Sequence, residues 1–354
     1  MKFVCRALLL AAPLILTSCS KEPLYQEEGF VFGTRVEVSV YGEDEARARQ
    51  AVASVMQEFQ RLHNLLHAWK PSALGELNAA FAHGKAVHVT PELEAIIRDA
   101  TQLSEQSGGL FNPAIGGLVK LWGFHADEYK SALPEEKRLA SLVAAQPRMT
   151  EISFLSRKES VTASTRNHFV QLDLGGYAKG YALDRATEIL HKMGVSNALI
   201  NIGGNIMALG THGSRPWRVG IQHPRKPGPL ATLELHDGEA IGTSGDYQRY
   251  FELDGKRYCH LLDPRTGQPV QGVQAASVLT RGAHAGVLSD ALSKPLFIAG
   301  SIANADRGVW LAAAQKIQLN EALLIDAAGI VHLTTAMQKR LEFTDKNMLW
   351  SVSQ

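Results

Sequence analysis

The stretch 242–267, GTSGDYQRYFELDGKRYCHLLDPRTG, carries its own folding instructions. Asp254-Gly255 supplies the two central residues of a type I′ turn, where both φ angles are positive, and so marks a two-residue hairpin. Counting back from that turn sets the register: Glu252 faces Arg257, Phe251 faces Tyr258, and Arg249 faces His260. Strand alternation then puts Arg249, Phe251, Tyr258 and His260 on one face and Cys259 on the other. A histidine in a strand is commonly structural. Here it runs into Asp263-Pro264-Arg265-Thr266-Gly267, a turn with more polar groups than a hairpin needs, which points to a site that handles an anion.

Working outward, Ser20–Glu28 reads as a polar tether and Val31–Tyr41 as a strand, with Val36, Val38 and Val40 alternating. Glu43–Trp69 follows as a long helix whose Val52, Val55, Met56, Phe59, Leu62 and Leu66 recur at helical spacing, the mark of a core face. Thr90-Pro91 opens a second helix, striped by Leu93, Ile96, Ile97, Ala100 and Leu103 and stopped by Gly108-Gly109. Gly180–Met193 is a third. Strand-like runs lie at Ala198–Ile202, Arg218–Gln222, Ala231–Leu235, Gln274–Leu279, Ala322–Ile325 and Ile330–Thr334, the last two joined by the loop Asp326–Gly329. Helices early and strands late predict an α+β fold rather than a regular βαβ alternation.

Composition is ordinary for a globular chain: 354 residues, 45% apolar and 20% charged, with a net charge of +1. Without a basic run there is no footprint for nucleic acid. Lys2 and Arg6 precede the apolar run Ala7–Leu16 and then Leu16-Thr17-Ser18-Cys19, the pattern of an export signal over residues 1–18 ending in a lipobox, with Cys19 the lipidated residue. An ordinary signal peptide cut near Ser18 is the other reading, and both export the chain. Cys5 leaves with the signal and Cys19 is modified, so Cys259 stays alone as a buried structural thiol and no disulfide is expected.

Gly175-Gly176 and Lys179-Gly180 stand immediately before the third helix. Glycines let backbone approach a phosphate closely, and a helix N-terminus offers unpaired N–H groups and the favourable end of the dipole. A tight strand-to-helix turn would use the same residues. With these blocks assembled, the chain resembles the ApbE family, the FAD:protein FMN transferases. The resemblance runs in order through Gly33-Thr34, Trp69 and Leu77-Asn78, GLFNPAIGGLVKLWGF at 109–124, LDLGGYAKGYALD at 172–184, NIGGNIMALG at 201–210, WRVGIQHP at 217–224, the hairpin, and SDALSKPLFIAG at 289–300. It implies one α+β domain over residues 31–354, two-lobed and related to the T-fold, behind a tether at 19–30, with flavin between the lobes. It further implies FAD contacts from Phe32, Trp69, Asn78, Phe111, Asn112 and Pro113, and from Gly175, Lys179, Tyr181 and Leu262. His260, Arg249 and Asp246 become the catalytic candidates, with His260 as acid/base or phosphate-contacting group. Mg²⁺ would be held by the Ala178 carbonyl and Asp290, with Ser293 able to add an oxygen.

The family places a Thr four residues after that Asp, on the same helix face, as a further metal ligand. Here the position is Lys294, followed by Pro295. An ammonium cannot ligate a cation, and the Asp290–Lys294 pair would put a fixed positive charge where the metal belongs; an exposed i,i+4 ion pair is the plainer alternative. Asn112 and Ala114 replace the Asp and Thr of the family's Phe-Asp-Pro-Thr, Asn205 replaces an acid after Gly-Gly, and Phe32 replaces a Met. The expected activity is transfer of FMN from FAD to a Thr hydroxyl of a partner protein, with AMP released. FAD pyrophosphatase and a flavin-carrying assembly lipoprotein without turnover are the alternatives. The expected partner is a flavin-accepting subunit of a respiratory or electron-transfer complex. The expected location is the bacterial cell envelope, on the periplasmic side of the inner or outer membrane.

Overall fold

Phe32 and Gly33 both have positive φ, 56° and 70°, and this type I′ turn joins β1 (Leu24–Val31) to β2 (Thr34–Tyr41) in one antiparallel hairpin. The tether expected over Ser20–Glu28 is therefore strand from Leu24 onward, and the strand expected from Val31 begins at Thr34. The cause of the misreading is position. β1 is the edge strand of its sheet, and its polar residues alternate outward as edge strands do. The computed structural model describes residues 24–126, 128–157, 160–302 and 309–353. Cys19 and the expected signal segment lie outside them.

The main sheet continues through β3 (Ala198–Ile202), β4 (Asn205–Leu209), β5 (Glu239–Gly245), β6 (Val273–Arg281), β7 (Glu321–Asp326), β8 (Val331–Thr334) and β9 (Trp350–Ser353). Among the described residues its nine strands lie side by side in chain order. All neighbours are antiparallel except β8 and β9. Both faces are covered, so successive residues enter different cores: on β4, Met207 and Leu209 pack towards helices, while Ile206 and Ala208 pack towards a second, three-stranded sheet.

The α-helices among the described residues are α1 (Glu45–Leu66), α2 (Ala73–Ala82), α3 (Pro91–Gln106), α4 (Gly116–Leu121), α5 (Glu136–Ala145), α6 (Ala178–Lys192), α7 (Ala285–Ile302), α8 (Val309–Lys316) and the single turn α9 (Thr335–Gln338). Asp44 and Thr90 cap α1 and α3 by accepting the N–H groups of Arg47 and Leu93. The predicted face of α1 is buried against Val36, Val38 and Val40. Two close approaches then position the site. A Cβ on Gly180 would stand 2.3 Å from the carbonyl oxygen of Gly286, and one on Gly242 of β5 2.3 Å from that of Ser289. Glycine at these points lets α7 lie directly on α6 and on the sheet. Asp184 of α6 completes the junction by accepting the N–H groups of Gly286 and Val287, at 2.8 and 2.9 Å. Burial raises its pKa to about 6 against the pull of those two bonds.

The predicted hairpin forms with the predicted register, Phe251 opposite Tyr258 and Glu252 opposite Arg257. Asp254 and Gly255 sit at φ 51° and 72°. Phe251 and Tyr258 stack at 5.1 Å on one face with Trp122 and Phe124 beside them, while Cys259 is buried on the other. The architecture is α+β with mostly antiparallel sheets, as the order of elements suggested. No helix among the described residues is long and apolar enough to cross a membrane.

Candidate active site

The N-terminus of α6, the middle of α7 and the end of the hairpin converge. Tyr177 and Ala178 turn into α6 by donating to the Leu174 carbonyl, and Gly175 donates to Asp173 Oδ1 at 2.8 Å. Asp290 of α7 is fully buried behind this turn. Its Oδ2 accepts the Gly180 N–H at 3.0 Å, and its Oδ1 carries the Lys294 ammonium, which also donates to the Asp290 carbonyl at 2.6 Å. Lys179 Nζ stands 3.6 Å from the same Oδ1. Burial alone would raise the Asp290 pKa, but the charges of Lys179 and Lys294 and the bonds from Lys294 and Gly180 hold it below the usual carboxylate range. Burial lowers the Lys294 pKa in turn, opposed by Asp290.

His260 closes the third side. Its N–H and Nδ1 both meet the carbonyl oxygen of Arg249, at 2.9 and 3.1 Å. A carbonyl only accepts, so Nδ1 carries the proton and Nε2 keeps its lone pair. Although the ring is only partly buried by surface area, desolvation pushes its pKa down to about 3, with the charges of Arg249, Lys179 and Lys294 adding to the effect. His260 is thus held neutral, within the electrostatic influence of both lysines.

Several expected residues are bonded to the surrounding backbone or to other side chains. Arg249 supports His260 through its carbonyl; its guanidinium donates to Tyr129 Oη and the Phe124 carbonyl, both at 2.6 Å. Asp246 is clamped by Arg225 at 2.7 and 2.6 Å, with Arg257 at 3.7 Å. Asn78 spends its amide on the backbone of Leu172, donating at 2.9 Å and accepting at 2.7 Å, which fixes the approach to Gly175-Gly176. Asn112 accepts from Ala114 and donates to the Pro147 carbonyl at 2.9 Å, a bond that an ionised Asp cannot make. Pro113 accepts from the Asp173 N–H at 2.8 Å, and Phe111 is buried against Gly176. The Ser293 hydroxyl lies between Ser244 Oγ and the Asp290 carbonyl, each at 2.8 Å, in the packing of α7 on β5 rather than beside the Asp290 carboxylate. In the loop after His260, Asp263 and Arg265 satisfy each other at 2.9 and 2.6 Å, so much of that polar density closes the turn itself.

Trp69 is half-buried, its ring 5.4 Å from that of His125. Phe32 packs edge-on against Phe59 and His63 of α1, Tyr181 stacks on Tyr177, and Leu262 is buried with Trp122 and Phe124. Sequence reasoning missed Phe124, which touches the His260 ring, and Asp184; both lie inside blocks already singled out, Asp184 four residues after Gly180 on the same helix face. The Mg²⁺ expectation does not fit these residues. The Asp290 oxygens already accept the Lys294 ammonium and the Gly180 N–H, and the Ser293 hydroxyl is engaged with Ser244 and the Asp290 carbonyl.

The glycine turn at the head of α6, Lys179, Lys294 and His260 are thus brought together on an α+β scaffold. The ApbE family model matches residues 32–319, and the chain belongs to the ApbE family. It is 40% identical over 340 residues to an FAD:protein FMN transferase of Rhodobacter capsulatus, covering 95% of this chain but 62% of that one, so it spans less than two thirds of that relative. An FAD:protein FMN transferase of Klebsiella pneumoniae is 32% identical, with 75% of this chain and 78% of that one covered. The crystal structure of the Thermotoga maritima ApbE protein superposes with a TM-score of 0.80 at 28% identity, covering 90% of this chain and 99% of that one.

Proposed function

We propose that this chain transfers FMN from FAD to a Thr hydroxyl of a partner protein. The observation that carries the reading is His260: its Nδ1 is bonded to the Arg249 carbonyl, no described residue bonds its Nε2, and the charges of Lys179 and Lys294 at the α6–α7 junction act on its ring. In the step, the Thr oxygen attacks the phosphorus on the FMN side of the diphosphate. A new P–O bond forms, the bond to the bridging oxygen breaks, AMP leaves, and the hydroxyl proton passes to His260 Nε2. Positioning and charge neutralisation carry most of the barrier reduction in such transfers. The lysines and the positive end of the α6 dipole neutralise the phosphate, Asn78 and Asn112 hold the surrounding backbone, and Asp246 pairs with Arg225.

Incubating the purified chain with FAD and a flavin-accepting subunit of an electron-transfer complex tests this. Flavin covalently bound to the acceptor supports transfer. AMP with free FMN and no adduct overturns it in favour of a pyrophosphatase, and unchanged bound FAD in favour of a carrier.

The same reading places the protein in the bacterial cell envelope, exported and held by acyl chains on Cys19. Each buried CH₂ contributes ~0.8 kcal/mol, so one chain is marginal and several anchor firmly. Cys19→Ala is expected to abolish lipid labelling and release the protein from membrane fractions; unchanged labelling contradicts the anchor.

A further inference from the structure

Lys294 and Lys179 share one buried carboxylate, that of Asp290, while the Asp173 carboxylate of the same turn is bonded to the Gly175 N–H. The α6 N-terminus adds the positive end of a helix dipole, and His260, being neutral, adds nothing to offset it. Nor is Lys294 an exposed partner in a surface pair. Its side chain is 15% exposed, Asp290 is fully buried, and a Cβ on Gly176 would meet Lys294 Cε at 3.0 Å. The lysine stem therefore lies packed across the glycine turn where the phosphate is expected. Pro295 does not disturb this placement. The helix runs unbroken from Ala285 to Ile302, and Lys294 keeps the i,i+4 contact to Asp290.

We infer that Lys294 is the built-in counter-charge of the bound diphosphate, so that this chain supplies with a side chain what a divalent cation would otherwise supply. The inference rests on the FAD reading above and deepens it. A divalent cation reaching Asp290 Oδ1 would first have to displace an ammonium already bonded there. Two ammonium groups beside the glycine turn at the head of α6 instead suit an anion there, and a diphosphate provides one. An ammonium neutralises charge without imposing octahedral order on its neighbours, so the glycine turn at the head of α6 must do the orienting.

The test uses the mature full-length chain. FAD binding is followed by flavin fluorescence and turnover by AMP release, each in EDTA and in Mg²⁺, and Mn²⁺ alone is used as an EPR probe of metal binding. Expected are FAD affinity and turnover that change less than about threefold between the two conditions, with Mn²⁺ left free in solution. Lys294→Met, which keeps the stem and removes the charge, should weaken FAD binding about tenfold or more, the loss of a charge-assisted bond. Lys294→Thr with Pro295→Ala should bind Mn²⁺ and become metal-dependent. Stoichiometric Mn²⁺ binding by the wild-type chain, with activity lost in EDTA, would overturn the inference while leaving the transferase reading intact. Failure to bind FAD in any condition would overturn both.

Discussion

His260→Ala lowers the rate of FMN transfer by about 10²–10⁴-fold, the usual worth of general acid/base help, while FAD affinity stays within a few fold. The ring is only partly buried at the end of the hairpin, and its hydrogen-bond partner is a neighbouring carbonyl, so its loss opens little core. In the proposed site the phosphate contacts come from the lysines and the head of α6, which the substitution leaves in place. The effect therefore falls on kcat rather than KM, and a variant transferring FMN at the wild-type rate would make His260 structural. The pH dependence separates the two roles further. With its folded pKa pushed down to about 3, His260 is neutral in the free enzyme at any working pH, so kcat/KM has no acid limb near the ordinary histidine value. Bound diphosphate favours the protonated ring and raises that pKa, so the acid limb of kcat lies at higher pH than that of kcat/KM. An acid limb in kcat/KM at about 6.5, the ordinary histidine value, that disappears in His260→Ala would contradict the neutral-base assignment.

Asp290→Ala destabilises the fold by about 3–5 kcal/mol, because removing one member of a buried ion pair leaves the other uncompensated. For a chain of this size that is a fall in Tm of roughly 10 °C. The carboxylate is fully buried and joins α7 to α6 through Gly180 as well as holding Lys294, so no solvent takes over either contact. Asp290→Ala combined with Lys294→Met removes both charges and is expected to recover much of the stability, yet not the activity, which a thermal melt and an AMP-release assay read independently. A single variant within about 1 kcal/mol of wild type would mean that the pair is solvated and contributes little.

Local chemistry makes part of this molecule legible in its sequence. Two positive-φ positions set the hairpin at Asp254-Gly255, and register, faces and the burial of Cys259 follow by counting. The apolar stripes of α1 and α3 are equally plain. Elsewhere the deciding partner is remote in sequence. The strand β5, containing Gly242 and Gly245, is absent from the strand-like runs because nothing nearby in the chain shows that α7 lies on it, with the Ser289 carbonyl where a Cβ on Gly242 would go. The polar alternation of β1 reads as a tether because an edge strand shows much of its side-chain surface to solvent. Asn78 and Asn112 sit in blocks that point to ligand contact, but an amide looks the same in sequence whether it meets a flavin or the backbone at Leu172 and Pro147. Lys294 is legible as a departure from the family pattern, whereas its burial against Gly176 is not, since that contact joins residues far apart in the chain.

The most direct measurement is a crystal structure of the chain with FAD bound, prepared with His260→Ala to prevent turnover. The account places the diphosphate at the Gly175–Gly180 turn, within hydrogen-bond reach of Lys179 and Lys294 and beside position 260. A diphosphate seated instead in the 490 Å³ pocket lined by Arg148, Arg265 and Asn112, with the α6 turn vacant, would contradict it.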